Sequence, residues 1–244
     1  MNKFLGYIFS PFHYLLYLLF LIIFHPLQWI CLKAGGYSAH KKCVDILNFF
    51  LVSSFYAAGV RVSYKNAYNL PLNRSIIFVA NHQSMFDIPP LIWFLRKYHA
   101  KFISKIELTR GIPSVSFNLL HGGGANIDRK DPKQSITELL KFGQRMKDNT
   151  WSAVIFPEGT RSKTGELKPF NTGGVATLLK KAPDALVVPI AIDNSWKVVR
   201  YGKYPLSFGE HIKITVLEPI EPKGKNIEEV LSDSQSQIRL VIER

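Results

Sequence analysis

Ile76-Ile77-Phe78-Val79-Ala80, five apolar residues in a row, leads directly into Asn81-His82-Gln83-Ser84-Met85-Phe86-Asp87. The run is too short for an independent helix and rich in strand formers, so it reads as a buried strand. After Asp87 come Ile88-Pro89-Pro90 and the apolar Leu91-Ile92-Trp93-Phe94-Leu95, a helix start with prolines in its first turn. His82 therefore falls on the turn and Asp87 at the mouth of the helix. A neutral imidazole takes a proton from a hydroxyl only if a partner on its other nitrogen fixes the tautomer. A carboxylate one turn away can do this and also stabilise the imidazolium. Turn chemistry alone favours Asn, Ser and Asp at such positions. The spacing by itself leaves a capped turn and a catalytic pair both open.

The same alternation continues downstream. Lys101-Phe102-Ile103-Ser104, Ala125-Asn126-Ile127, Ser152-Ala153-Val154-Ile155-Phe156 and Leu186 to Ile192 read as strands, and Ile212 to Val216 as a half-buried one. Pro189 predicts an edge or a bulge for its strand. Between them, Asp131-Pro132 opens a helix that ends by Asn149, with Ile136, Leu139, Leu140 and Met146 as its buried stripe. Thr172 to Lys181 is a shorter helix, and Asn226 with Glu229 marks the start of a last one. From Arg61 onward the pattern predicts an α/β domain, a mixed sheet flanked by helices on both faces.

Residues 1–60 differ in kind. Residues 4–32 are dominated by aromatic and aliphatic side chains, and a second apolar stretch runs from Val44 to Val60. Phe12 to Leu32 just reaches the ~20 residues of a spanning helix. Lys33 to Lys42 lies between the two stretches as a basic turn suited to anionic headgroups. A helix apolar all round needs lipid or a large protein core. We expect a helical hairpin over 1–60 that enters a bilayer and returns, or lies in one leaflet, leaving a domain over 61–244 on the side where it was made. Cys31 and Cys43 have no metal-ligand spacing and read as buried thiols.

The net charge of +13 predicts polyanionic partners, with nucleic acid, an anionic bilayer and a phosphorylated small substrate all eligible. Nucleic acid fits poorly, because the aromatics crowd the apolar N-terminus instead of interleaving with basic residues. Three stretches supply cations at strand ends. Lys105 follows one strand, Gly122-Gly123-Gly124-Ala125-Asn126-Ile127-Asp128-Arg129 spans a second, and Phe156-Pro157-Glu158-Gly159-Thr160-Arg161-Ser162 leaves a third. Ligands of α/β sheets collect outside the carboxyl ends of strands, so His82, Lys105, Arg129 and Arg161 are candidates for one crevice.

In this order the stretches resemble the glycerolipid acyltransferase family, in particular its 1-acylglycerol-3-phosphate acyltransferases. The resemblance covers roughly residues 75–192. It rests on His82 with Asp87, on Lys105-x-Glu107-Leu108 with Pro113 and Gly123 to Arg129, on Phe156 to Ser162, and on Val188-Pro189-Ile190. It implies that His82, oriented by Asp87, deprotonates an acceptor hydroxyl for attack on a fatty acyl thioester of coenzyme A or acyl carrier protein. The acceptor would be a lysophospholipid, lysophosphatidic acid acylated at its sn-2 hydroxyl, or another lysolipid by the same chemistry. Glu158, Gly159, Thr160 and Arg161 are then expected to bind it, with Lys105 and Arg129 in support. No metal or cofactor is expected, since the thioester is already activated. Ser116 and Asn126 depart from the family pattern near the acceptor. A basic lipid-binding protein without catalysis remains the reading from another class, though it would have no need of a paired His and Asp.

Overall fold

The computed structural model describes residues 1–243. In chain order the elements are α1 (Asn2–Ser54), β1 (Arg61–Lys65), β2 (Ile76–Ala80), α2 (Ile88–Phe94), β3 (Ala100–Lys105), α3 (Val115–His121) and β4 (Ala125–Ile127). They continue with α4 (Pro132–Asn149), β5 (Ser152–Ile155), α5 (Gly173–Lys181), β6 (Leu186–Asp193), α6 (Ser195–Val198), β7 (His211–Val216) and α7 (Ile227–Ile242). One seven-stranded sheet forms in the order β1-β7-β6-β2-β5-β3-β4. Strands β2 to β6 run parallel, while β7 is antiparallel to β6 and carries β1 parallel to itself.

Every residue of β2 is fully buried because the strand is covered on both faces. Ile76, Phe78 and Ala80 enter one core with Leu91, Leu95 and Leu206, and Ile77 and Val79 enter the other with Phe142, Met146, Leu178 and Val230. The helix over α4 buries Leu139, Phe142, Gly143 and Met146, whereas Ile136, expected in its stripe, is 52% exposed.

Pro189 does not place its strand at an edge. β6 lies in the interior of the sheet, with Pro189 in register with Val79 of β2. Its carbonyl accepts from Leu217 N, just past the end of β7, and the β6–β7 ladder begins only at Ile190. Between the Ile190–Val216 pair and the Val187–Ile220 bridge, β6 advances three residues and its partner segment four, so Pro189 lies opposite a one-residue bulge, the other alternative its sequence offered. β1 was not legible as a strand, since its alternation in Arg61-Val62-Ser63-Tyr64-Lys65 is short and flanked by exposed edge.

α1 is two helical arms joined at Gly36, whose φ of 66° and ψ of −164° break the helix. The arms lie antiparallel. Phe20 and Phe24 pack on Phe50, and Gln28 Oε1 meets His40 Nε2 at 3.2 Å. The turn is confined to Gly36, so Lys33 to Lys42 is mostly helical instead of a loop. The helix also continues through Pro11. The Tyr7 carbonyl four residues earlier, which Pro11 has no N–H to satisfy, accepts from the Tyr204 hydroxyl at 3.0 Å.

Only 17% of the most apolar 18-residue window of α1, of mean hydropathy 2.1, is buried. By length and composition this helix is able to cross a membrane. Its near end is fastened to the sheet domain. Ser10 Oγ accepts from Leu206 N at 2.9 Å, and Gly6 lies so close to the Leu206 carbonyl that a Cβ would be 2.0 Å away. Farther along, Ser114 Oγ donates to Leu21 O at 2.6 Å and Ser114 N to His25 Nδ1 at 3.1 Å.

Candidate active site

His82 leaves the carboxyl end of β2, flanked by β5 on one side and β6 on the other. Its polar neighbours come from its own loop and from the loop that follows β5. Its Nδ1 is 2.8 Å from Asp87 Oδ2. The same Oδ2 accepts from Gln83 N at 2.8 Å and Ser84 N at 2.9 Å, while Ser84 Oγ accepts from Phe86 N. Ser84 and Asp87 form a complete capping box. The two readings left open by the sequence are thus served by one carboxylate, which caps the turn and receives the imidazole. With Nδ1–H pointed at Asp87, the lone pair is on Nε2.

The imidazole is stacked on Phe156 with centroids 4.1 Å apart and planes 17° apart. Beyond Phe156 the chain turns back along His82. Glu158 Oε1 accepts from His82 N at 2.8 Å, and His82 O accepts from Ser162 N at 2.7 Å. Glu158 Oε2 accepts from Lys168 N at 3.3 Å. Burial pushes the Glu158 carboxyl up to about 7, against the opposing pull of those two backbone N–H groups and of the Lys168 charge. Gly159 takes the left-handed φ of 70° that the reversal requires. Arg161 Nε donates to His82 Nε2 at 3.3 Å.

Lys168, which the sequence did not single out, ties the loop down by donating from Nζ to Arg161 O at 2.8 Å and Thr160 Oγ1 at 3.0 Å. No local pattern marks it, because it acts on residues seven and eight positions earlier through a loop without regular structure.

Of the residues expected at the site, His82, Asp87, Glu158, Gly159, Thr160 and Arg161 come together. Lys105 and Arg129 lie at the carboxyl ends of β3 and β4, on the far side of β5 from His82. Both are exposed, and neither has a hydrogen bond or ion pair among the described residues. Ser116 and Asn126 serve the backbone of that rim. Ser116 Oγ accepts from Ile112 N and donates to Leu108 O, and Asn126 Nδ2 donates to Leu119 O.

At one strand end of this mixed α/β sheet a carboxylate holds an imidazole on one nitrogen and an arginine meets the other, an arrangement chemically suited to proton transfer beside an anion. The acyltransferase family model matches residues 61–193, more than half of the chain, and the chain belongs to that family.

Its relatives include the 1-acyl-sn-glycerol-3-phosphate acyltransferase of Helicobacter pylori, 34% identical over 151 residues and 60% of each chain. The human 1-acyl-sn-glycerol-3-phosphate acyltransferase beta is 29% identical over 196 residues, 80% of this chain and 68% of that protein. The chloroplastic enzyme of Arabidopsis thaliana is 27% identical over 179 residues, 73% of this chain. The chain spans about half the length of the chloroplast relatives, 48% and 43% of those from Arabidopsis thaliana and Brassica napus. The crystal structure of the 1-acyl-sn-glycerophosphate acyltransferase PlsC from Thermotoga maritima superposes with a TM-score of 0.79 at 22% identity, covering 100% of this chain and 98% of that one. That likeness extends over the full fold, including the kinked N-terminal helix.

Proposed function

We propose that this acyltransferase moves a fatty acyl group from a thioester of coenzyme A or acyl carrier protein to the sn-2 hydroxyl of 1-acylglycerol 3-phosphate, giving phosphatidic acid. The observation that carries the reading is the 2.8 Å contact of His82 Nδ1 with Asp87, which leaves Nε2 facing the Arg161 guanidinium. Family membership and the 1-acyl-sn-glycerol-3-phosphate acyltransferases among its relatives support the same substrate class.

In this reading Nε2 takes the proton of the acceptor hydroxyl as its oxygen attacks the thioester carbonyl. A C–O bond forms, the C=O becomes a tetrahedral oxyanion, and Asp87 stabilises the imidazolium. Collapse of the oxyanion breaks the C–S bond, and the imidazolium returns the proton to the thiolate. Arg161 holds the acceptor phosphate in a charge-assisted, two-pronged contact. Because its Nε–H already occupies the lone pair of His82 Nε2, a phosphate that draws the guanidinium away also frees the base. Glu158 joins the two loops by their backbones and so fixes the separation of base and guanidinium. Residues 1–60 dock the enzyme on an anionic membrane at its cytoplasmic face, and 61–244 carry the chemistry. The broad apolar surface of α1 supports that division.

A matrix of acyl donors and lysolipid acceptors on the purified full chain tests the proposal. The wild type should favour phosphorylated acceptors. His82→Ala should lose roughly 10²- to 10⁴-fold in turnover while keeping its thermal unfolding and its co-sedimentation with vesicles. Turnover by a folded His82→Ala protein at the wild-type rate would end the mechanism, and equal use of uncharged acceptors would end the acceptor assignment.

A further inference from the structure

Asp87 is fully buried, and its two oxygens are held in different ways. Oδ2 is engaged within its own loop, by His82 Nδ1 and the backbone N–H groups of Gln83 and Ser84. Oδ1 accepts from the hydroxyl of Ser195, 108 positions away and also fully buried. Ser84 Oγ approaches the same hydroxyl at 3.2 Å. Ser195 is itself fixed, because its N–H donates to Gln83 Oε1 at 3.0 Å. The strand that brings it there is pinned to the histidine loop by Asn81, whose Nδ2 donates to Ile192 O at 2.8 Å and whose Oδ1 accepts from Ile192 N at 2.7 Å. Asn194 turns the chain with a left-handed φ of 66°, directing Ser195 back beneath Asp87.

We infer that Ser195 is a positioning residue for the base, setting through Asp87 the orientation of the imidazole. This rests on the reading of His82 as the base. A carboxylate able to rotate about its Cβ–Cγ bond would present either oxygen, or neither, to Nδ1. The Ser195 hydroxyl holds Oδ1 from the opposite side, and together with the two backbone N–H groups on Oδ2 it keeps Oδ2 facing the ring.

The test compares Ser195→Ala, Ser195→Cys, Asp87→Asn and the Ser195→Ala/Asp87→Asn double variant with wild type and His82→Ala, all as full chains with folding checked by thermal unfolding. Ser195→Ala should lower kcat about ten-fold, the loss of one hydrogen bond to a charged group, with the acceptor KM little changed. The thiol of Ser195→Cys is a weaker donor and should fall between the two, and its near-isosteric fit keeps the question answerable if Ser195→Ala folds poorly. The downfield Nδ1–H proton resonance of His82 should shift in Ser195→Ala. In the Asp87→Asn background the alanine substitution should cost nothing further, because both changes act through one carboxylate.

An unmoved resonance with an unchanged kcat, or losses that simply add in the double variant, would overturn the inference. If His82→Ala is inactive while Ser195→Ala keeps the wild-type kcat and resonance, this inference alone falls. If His82→Ala is active, the reading of the base falls and takes Ser195 with it.

Discussion

The carboxyl ends of the strands carry two rims that share a charge and differ in how the charge is held. On the β5 side, Arg161 sits on a loop closed by Glu158, Ser162 and Lys168, with three backbone or side-chain contacts reaching His82 itself. On the β3–β4 side, Lys105 and Arg129 stand exposed at strand ends, and the polar side chains near them, Ser116 and Asn126, brace only their own backbone. In the proposed reading the first rim fixes the distance between base and anion-binding group before any ligand arrives, which lowers the entropy lost on reaching a reactive geometry. In the same reading the second offers cations whose flexible stems adapt to a headgroup, at the cost of strong solvent screening.

Substitution on each rim separates these roles. Arg161→Ala should have the largest effect, raising the acceptor KM roughly 10- to 100-fold with little change in the donor KM, the range for a charge-assisted pair. Steady-state kinetics with each substrate varied in turn check this, and equal losses for both substrates would erase the distinction between the rims.

Glu158→Gln should come next, because the amide nitrogen replaces one acceptor and confronts a backbone N–H of His82 or Lys168, a loss of about 1–3 kcal/mol. Its pH signature is specific. The carboxyl ionises near 4.5 when exposed and near about 7 in the fold. The folded protein therefore keeps a proton that the unfolded chain has lost between those values. This group's contribution to stability falls as pH rises through that window and is level above it. Unfolding midpoints measured between pH 4 and pH 8 should show this decline in wild type and its loss in Glu158→Gln.

Lys105→Ala and Arg129→Ala should be mildest, raising the acceptor KM about five-fold or less. The increment should shrink further as salt is added, and a loss as large and salt-insensitive as that of Arg161→Ala would make the two rims equivalent.

Much of this was legible along the chain. Ile76 to Ala80 announced a doubly covered strand by having no polar position at all, and the His82-to-Asp87 spacing announced a turn that holds the two side chains near each other while leaving cap and catalytic pair both open. Other features were hidden for identifiable reasons. Pro189 suggested an edge or a bulge, and only the pairing of β6 with β7 and the segment after it selects the bulge. The helical breaks expected between Lys33 and Lys42 shrank to Gly36 because packing between the two arms sustains helix over residues that would otherwise form a loop. Pro11 remained inside a helix because a tyrosine nearly two hundred positions away takes up the unserved carbonyl.

The amino-acid order alone determined every strand but β1, which residues stand at their carboxyl ends, and that an imidazole and a carboxylate share one turn, because all of these depend on periodicity and on contacts a few positions apart. It did not determine that β2 lies between β5 and β6. That arrangement is chosen by how two cores are filled across the whole sheet. It alone brings Glu158 to one side of His82 and Ser195 to the other side of Asp87, since neighbouring strands deliver their loops to neighbouring places however far apart they are in the chain.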